Sequence, residues 1–326
     1  SSSLQEGEKN YLKIFDSIDK QQEYDEESIK NQFNGETFIR HFPSEKNHLY
    51  KLILKSLRSY HADNSISSIL RQEIKNIEIL FKKGLYKECH KFLQRSKKLA
   101  IEHEKFYYQF ELINIEKQLL EEDYESGEFD KDLNALVEEE TQCIEKLRNL
   151  AEYHIIFSRI NFVFRREGFA HNEEERAIVQ EIEDYHLIKG KNTALSARAS
   201  TICYYIKGLC ATTNRQYQDA FTFFLKTKEI FDKNPHIRTD LAKRYLKTLT
   251  SLLYGYIDTN NIEAANNLIK VLVDLKEEDG FDSLEMEVKI FTSTHIAQLM
   301  LLNKTGDFRK AIELSKDVNS AMDKYG

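Results

Sequence analysis

Apolar residues recur three and four positions apart along most of this chain, which is the spacing of one buried face on an α-helix. The pattern is plainest near the end of the chain. Residues 291–302 are apolar at this spacing, Gly306 and Asp307 interrupt them, and a second apolar series begins at Phe308. This predicts two helices joined by a tight turn, with Ala311 at the point where the second helix presses against the first.

The same arrangement recurs upstream, each time with a hydrophobic residue three positions before a small one. The four pairs are Tyr86/Cys89, Tyr217/Ala220, Ile262/Ala265 and Phe308/Ala311. Weaker matches lie at residues 127–129 with Asp132, and around Ala177. With anchors at residues 89, 132, 177, 220, 265 and 311, the successive steps are 43, 45, 43, 45 and 46 residues. A near-constant step of this length predicts a stack of helical hairpins.

Two of these units resemble the tetratricopeptide family. The residues that carry the resemblance are Gly208, Tyr217, Ala220 and Phe224 in one unit, and Gly306, Phe308 and Ala311 in the other. The resemblance covers residues 66–325 and implies an all-α fold, a right-handed superhelical α-solenoid of about six antiparallel helical hairpins. The repeats are unusually long, because a tetratricopeptide repeat has about 34 residues. Generic helical hairpins of the HEAT type are therefore the alternative fold.

The first part of the chain lacks the repeat pattern. Apolar residues around Ile14 predict one amphipathic helix, Asp25 predicts the N-cap of a second, and Ser44 begins a third. We therefore predict an N-terminal helical cap over residues 1–62 and a tetratricopeptide-like helical repeat array over residues 63–326. Such a cap covers the apolar end of the first repeat.

Composition narrows the classes of partner. Hydrophobic residues make up 41% of the chain and charged residues 31%, which suits helices with one buried and one solvated face. No stretch is long and apolar enough to span a membrane. The net charge of -7 comes from 47 basic and 54 acidic residues that are mixed along the chain, which disfavours general nucleic-acid binding. We predict neither a membrane nor a nucleic acid as the partner.

The four cysteines show neither a CxxC motif nor the spacing of a zinc site. We interpret them as buried free thiols in a reducing compartment, which predicts a cytoplasmic protein. The chain begins with serine and ends directly after a helical stretch. We interpret it as an expressed or mature fragment, and the sequence does not specify whether it belongs to a longer protein.

The sequence contains no pattern typical of catalysis. Paired carboxylates such as Glu121/Glu122 are expected on solvated helix faces of this composition, and neither a glycine-rich phosphate loop nor a nucleophile motif occurs. The dense aromatic residues between positions 153 and 169 favour a buried central helix over a cofactor pocket. We therefore predict a protein that is not an enzyme and requires no cofactor or metal.

One set of cations stands out when the units are aligned on their small residues. Arg198, Lys243 and Lys289 each lie 22 residues before the anchor of their own unit, at 220, 265 and 311. In consecutive hairpins they would form a ladder with steps of about 10 Å. Together with neighbours on the predicted concave face, the candidate binding residues are Arg198, Tyr205, Lys243, Lys247, Tyr254 and Lys289. Such a ladder suits the carboxylates of an acidic peptide, although solvated side chains that cover apolar surface would show the same pattern.

The leading hypothesis is a non-catalytic scaffold that binds a protein or peptide, with the cations favouring an acidic one, on the concave face of a superhelix. The principal alternative is a ligand-sensing regulatory domain of a longer chain whose effector segment is absent. Two further hypotheses are less favoured by the sequence: an enzyme with a pocket inside the superhelix, and a nucleic-acid-binding protein. The resemblance concerns the fold, so it specifies neither the partner nor the oligomeric state.

Overall fold

The computed structural model describes residues 2–60, 65–125, 133–191 and 193–325, and within these ranges the regular structure is helical without strands. The prediction of an all-α fold is confirmed. The α-helices are α1 (Ser2–Asp19), α2 (Glu26–Gln32), α3 (Phe42–Tyr60), α4 (Ile66–Lys82), α5 (Tyr86–Glu102), α6 (Phe106–Glu125), α7 (Leu133–Glu167), α8 (Glu173–Asp184), α9 (Ala197–Thr213), α10 (Tyr217–Lys233), α11 (Pro235–Asp240), α12 (Ala242–Asp258), α13 (Ile262–Asp274), α14 (Leu284–Thr305) and α15 (Phe308–Tyr325). Two short 3₁₀ helices lie at Thr37–His41 and Leu275–Glu277.

The chain folds into two compact units, Ser1–Gln72 and Glu73–Gly326, and α4 runs across the boundary. The first unit contains the three predicted helices. The Asp25 carboxylate caps α2 by accepting the backbone N–H groups of Glu27 and Ser28 at 3.0 and 3.1 Å. Its core consists of Ile14, Ile29, Phe38, Phe42 and Leu49. The predicted boundary between residues 62 and 63 lies outside the described residues.

Four hairpin turns of the repeat region share one backbone conformation. A residue one or two positions after the end of the first helix is left-handed in each turn, and the N–H that follows it donates to a carbonyl in the last turn of that helix. The left-handed residues are Gly84 (φ 68°), Arg215 (φ 60°), Asn260 (φ 61°) and Gly306 (φ 78°). The closing bonds run from Leu85 to Leu80, Gln216 to Ala211, Asn261 to Tyr256 and Asp307 to Leu302, with lengths of 2.7 to 3.0 Å. The same turn is thus built with glycine in two units and without it in two.

The predicted small anchors of these four units are buried. They are Cys89, Ala220, Ala265 and Ala311. The first helices also approach closely through glycine, because a Cβ on Gly208 would lie 2.5 Å from the ring of Phe224. The prediction that small residues let the two helices of a hairpin pack together is confirmed at these positions.

The middle of the chain departs from the predicted regular step. The 35-residue helix α7 packs with its first half against α6 and with its second half against α8 and α9, so one continuous helix serves two neighbouring pairs. Its aromatic second half lies in the main core, with Tyr153 fully buried. Ala177 is exposed and Val179 is the buried residue, so the anchor predicted at Ala177 is wrong. The turn predicted at residues 127–129 and its anchor Asp132 lie outside the described residues.

A polar clamp ties distant parts of the second unit together. The Glu104 carboxylate, in the turn after α5, accepts the N–H groups of Ala197 and Arg198 at 2.8 Å each and so caps α9. Arg198 and Lys105 both form ion pairs of 2.6 Å with Asp240, at the end of α11. These contacts hold the start of α9 close to the start of α12, and both helices line the groove described next.

Candidate functional site

Two adjoining depressions run along one side of α12. The first has a volume of about 390 Å³ and is lined from α7 by Arg165, from α9 by Tyr205, and from α12 and α14. The second has a volume of about 440 Å³ and is lined by Phe157, Arg244 and residues at the ends of α11 and α14. The two depressions share Tyr205, Lys243 and Lys247. We call them together the cationic groove, after Arg165, Lys243, Arg244, Lys247 and Lys289, which line it.

Five of the six residues predicted from the sequence line this groove. They are Tyr205, Lys243, Lys247, Tyr254 and Lys289. Arg198 lines neither depression, because its guanidinium is directed to Asp240 at 2.6 Å and to the carbonyl of His103 at 3.3 Å. The structure therefore brings the lysines and tyrosines together and gives Arg198 a place in the clamp.

The cations of the groove differ in how their charge is balanced. Lys243 and Lys289 both pair with the Glu285 carboxylate, at 2.6 and 2.5 Å. Lys247 makes no ion pair with any described residue. Burial, and then the charges of Arg165 and Lys289 among others, lower its pKa. The contributions of Arg165 and Lys289 to this shift show that Lys247 lies among other cations.

Arg244 is the least compensated of these cations. Its Nη1 atom is inaccessible to solvent and has no hydrogen-bond partner in the part of the chain that the structure describes. The guanidinium lies 5.2 Å from the ring centroid of Phe157, a cation–π contact. Burial lowers the pKa of Arg244 to about 10, and the charge of Arg198 contributes to the same shift. The same field reaches α7, where burial and then Arg244 and Arg198 lower the pKa of His154.

Aromatic residues form the apolar part of the groove. Tyr205 is buried between Phe157 and Phe224, with ring centroids at 6.0 and 5.5 Å, and burial raises its pKa to about 12. Tyr254 is half-buried and also lines a third depression, which continues along α12 beside Phe164 and Phe221. The groove thus offers rigid apolar surface directly beside unpaired cations.

A separate, larger depression of about 680 Å³ lies between α8, α9 and α10. There the ammonium groups of Lys207 and Lys226 lie 5.5 to 6.0 Å from the ring centroids of Tyr204 and Phe223. Lys207 also donates to the carbonyl of Gly190 at 2.8 Å. This depression combines cations with rings as well, but Glu183 and Asp219 line it and reduce its positive charge.

The sequence reasoning missed Arg165 and Arg244. Arg244 directly follows Lys243, so it lies outside the single helix face on which the predicted ladder was built. Arg165 belongs to α7, in the part of the chain where the repeat alignment was wrong. A search for cations on every face of α12 would have found Arg244, but its lack of a partner is visible only in three dimensions.

The described residues thus form an all-helical protein of antiparallel helix pairs with a cationic, aromatic-lined groove. Comparisons with protein-family models, with curated protein sequences and with solved structures find no match. Among the described residues, no group of three or more histidine, cysteine, aspartate or glutamate side chains is placed to hold a metal ion. None of the helices described has the length and apolar character needed to cross a membrane.

Proposed function

We propose that this protein is a non-catalytic scaffold of the tetratricopeptide-like kind that binds an acidic segment of another protein in the cationic groove. The proposal includes a right-handed superhelical arrangement of the hairpins, with the groove on its concave face. It also includes a cytoplasmic location, which is supported by four buried free thiols.

The observation that carries the proposal is the convergence of five helices on one groove. Residues of α7, α9, α11, α12 and α14 meet there, although their positions in the sequence extend from Phe157 to Ser293. The two depressions adjoin along α12, and together they exceed the space that one small anion fills. An elongated groove with aromatic walls and several cations suits an extended peptide that carries carboxylates.

A phage-displayed library of random peptides, selected on the immobilised protein, tests the proposal. The test variant is Lys243→Glu/Lys289→Glu, and the matched control is Lys226→Glu/Lys270→Glu, which makes the same change in net charge outside the groove. We expect acidic peptides that bind the wild type and the control but not the test variant. Selection of no peptide at all, or of peptides that bind all three proteins equally, would refute peptide binding in this groove.

A further inference from the structure

We propose that Arg244 is the receptor for a carboxylate of the bound segment, and that Lys247 and Arg165 complete the charge balance around that carboxylate. This inference rests on the proposed function and deepens it, because it assigns the chemical group that the groove recognises. The carboxylate belongs either to an aspartate or glutamate side chain or to a chain terminus, and the experiment below separates these sources.

Arg244 is charged and enclosed, and it has no ion-pair partner among the described residues. Its backbone lies in the first turn of α12, its guanidinium lies against Phe157, and its Nη1 has no acceptor among the described residues. An enclosed ionic group without a partner carries a desolvation cost that an anion beside it would offset. Arg244 is one of the residues that line the second depression, so an anion in that depression lies beside its side chain.

The carboxylates near the groove already form ion pairs with other cations. Asp240 is the one carboxylate that lines the two depressions in the described chain, and it pairs with Lys105 and Arg198 at 2.6 Å each. Glu285 is bonded to Lys243 and Lys289.

These bonds leave Arg165, Arg244 and Lys247 without a carboxylate partner among the described residues. An anion that enters the groove would therefore meet cations that no described carboxylate of this chain neutralises.

A carboxylate suits the surroundings of Arg244 better than a phosphate does. The guanidinium is planar and presents a fork that matches the two oxygens of a carboxylate. The ring of Phe157, whose centroid lies 5.2 Å from the guanidinium carbon, fills part of the space around the guanidinium and so restricts how an anion can approach it. A dianionic phosphate would meet stronger repulsion from Asp240, which lines the same depression.

Fluorescence anisotropy with three labelled peptides tests the inference on the full chain. The first is an oligoglutamate amide, which carries only side-chain carboxylates. The second is an oligoglutamine with a free C-terminus, whose terminal carboxylate is its only carboxylate. The third is an oligoglutamine amide, which carries no carboxylate. Inorganic phosphate serves as a competitor. The variants are Arg244→Gln, Arg244→Lys and the control Lys226→Gln, an exposed cation outside the groove.

We expect Arg244→Gln to weaken binding of at least one carboxylate-bearing peptide by about tenfold to a hundredfold, the usual effect of losing a charge-assisted hydrogen bond. Arg244→Lys should recover only part of this loss, because it keeps the charge without the fork. The control should bind as the wild type does. Which of the first two peptides responds identifies the source of the carboxylate.

The inference fails if Arg244→Gln binds both carboxylate peptides as tightly as the wild type, or if neither of these peptides binds the wild type. It also fails if inorganic phosphate displaces the peptides when the phosphate concentration is lower than the dissociation constants of the peptides, because the site would then prefer phosphate. None of these results depends on the phage selection, so peptide binding can hold while the role of Arg244 fails. Circular dichroism of each variant establishes that it is folded, and the Arg244→Lys result holds even if Arg244→Gln were unfolded.

Discussion

Replacing Arg244 by methionine should make the free protein more stable while it removes carboxylate binding. Methionine has a similar length and keeps the contact with Phe157, but it carries no charge and needs no hydrogen-bond partner. Most substitutions at enclosed positions destabilise a protein. An increase in stability would therefore be direct evidence that the guanidinium is uncompensated in the free state.

The magnitude follows from the environment of the guanidinium. Burial and the charge of Arg198 lower the pKa of Arg244 to about 10. At about 1.4 kcal/mol for each tenfold change in the ionisation constant, this corresponds to about 3 kcal/mol of destabilisation of the charged form. The cation–π contact with Phe157 at 5.2 Å offsets about 1 to 2 kcal/mol of it. We expect Arg244→Met to raise the free energy of unfolding by about 1 to 2 kcal/mol.

Urea unfolding followed by far-ultraviolet circular dichroism measures this change. The midpoint should rise while the slope of the transition stays the same, because the surface exposed on unfolding is nearly unchanged. The control is Lys226→Met, which removes an exposed cation that also lies over aromatic rings. We expect it to change the free energy of unfolding by less than about 0.5 kcal/mol.

Ligand should reverse the order of stability. An acidic peptide at about a hundred times its dissociation constant stabilises the protein that binds it by about 2.7 kcal/mol. The wild type would then be more stable than Arg244→Met, which binds weakly. If Arg244→Met is instead less stable than the wild type by more than about 1 kcal/mol without peptide, Arg244 has a structural partner, and the reasoning from its unpaired charge is refuted.

Three further predictions concern the clamp and the hairpin packing. Asp240→Asn should lower the free energy of unfolding by about 2 kcal/mol in urea titrations, because Lys105 and Arg198 lose a shared, largely enclosed partner. Burial alone would raise the pKa of Asp240, but hydrogen bonds from Lys105 and Arg198 outweigh burial and lower it. The difference in the free energy of unfolding between wild type and Asp240→Asn should therefore have its full value above a pH of about 4. It should disappear as the pH falls further and Asp240 becomes protonated in the folded protein. Gly208→Ala should lower the free energy of unfolding by about 1 to 3 kcal/mol, because the new Cβ would lie 2.5 Å from the ring of Phe224. Thermal unfolding would show this as a lower midpoint temperature.

The hairpins were predictable because their determinants are local. A helical apolar series, a turn and a small residue at a fixed offset specify one pair of helices, and Ala220 and Ala265 are buried as expected. The turns at Arg215 and Asn260 show that the left-handed position does not require glycine. The middle of the chain was less predictable, because α7 continues through the point where a hairpin would end and leaves Ala177 exposed.

The site was predictable in part for the same reason. Aligning the units placed Lys243, Lys247 and Lys289 on a common face, and they do line one groove. The alignment of the repeat units could not show that Arg198 forms an ion pair with Asp240, because that contact joins residues from different hairpins. It also could not show that Arg244 lacks a partner, since this depends on every element packed around it.

The unpaired cations are notable because the chain as a whole is acidic. With 54 acidic and 47 basic residues, carboxylates are abundant, yet among the described residues only Lys243 and Lys289 of the five groove cations pair with one. The net charge of -7 repels an acidic segment at a distance, but at physiological ionic strength this repulsion is screened beyond about 8 Å. Inside the groove the charges are closer than that and partly enclosed, so attraction dominates there. Binding of an acidic peptide should therefore depend less steeply on salt than it would on a uniformly basic surface, because added salt weakens the distant repulsion together with the local attraction.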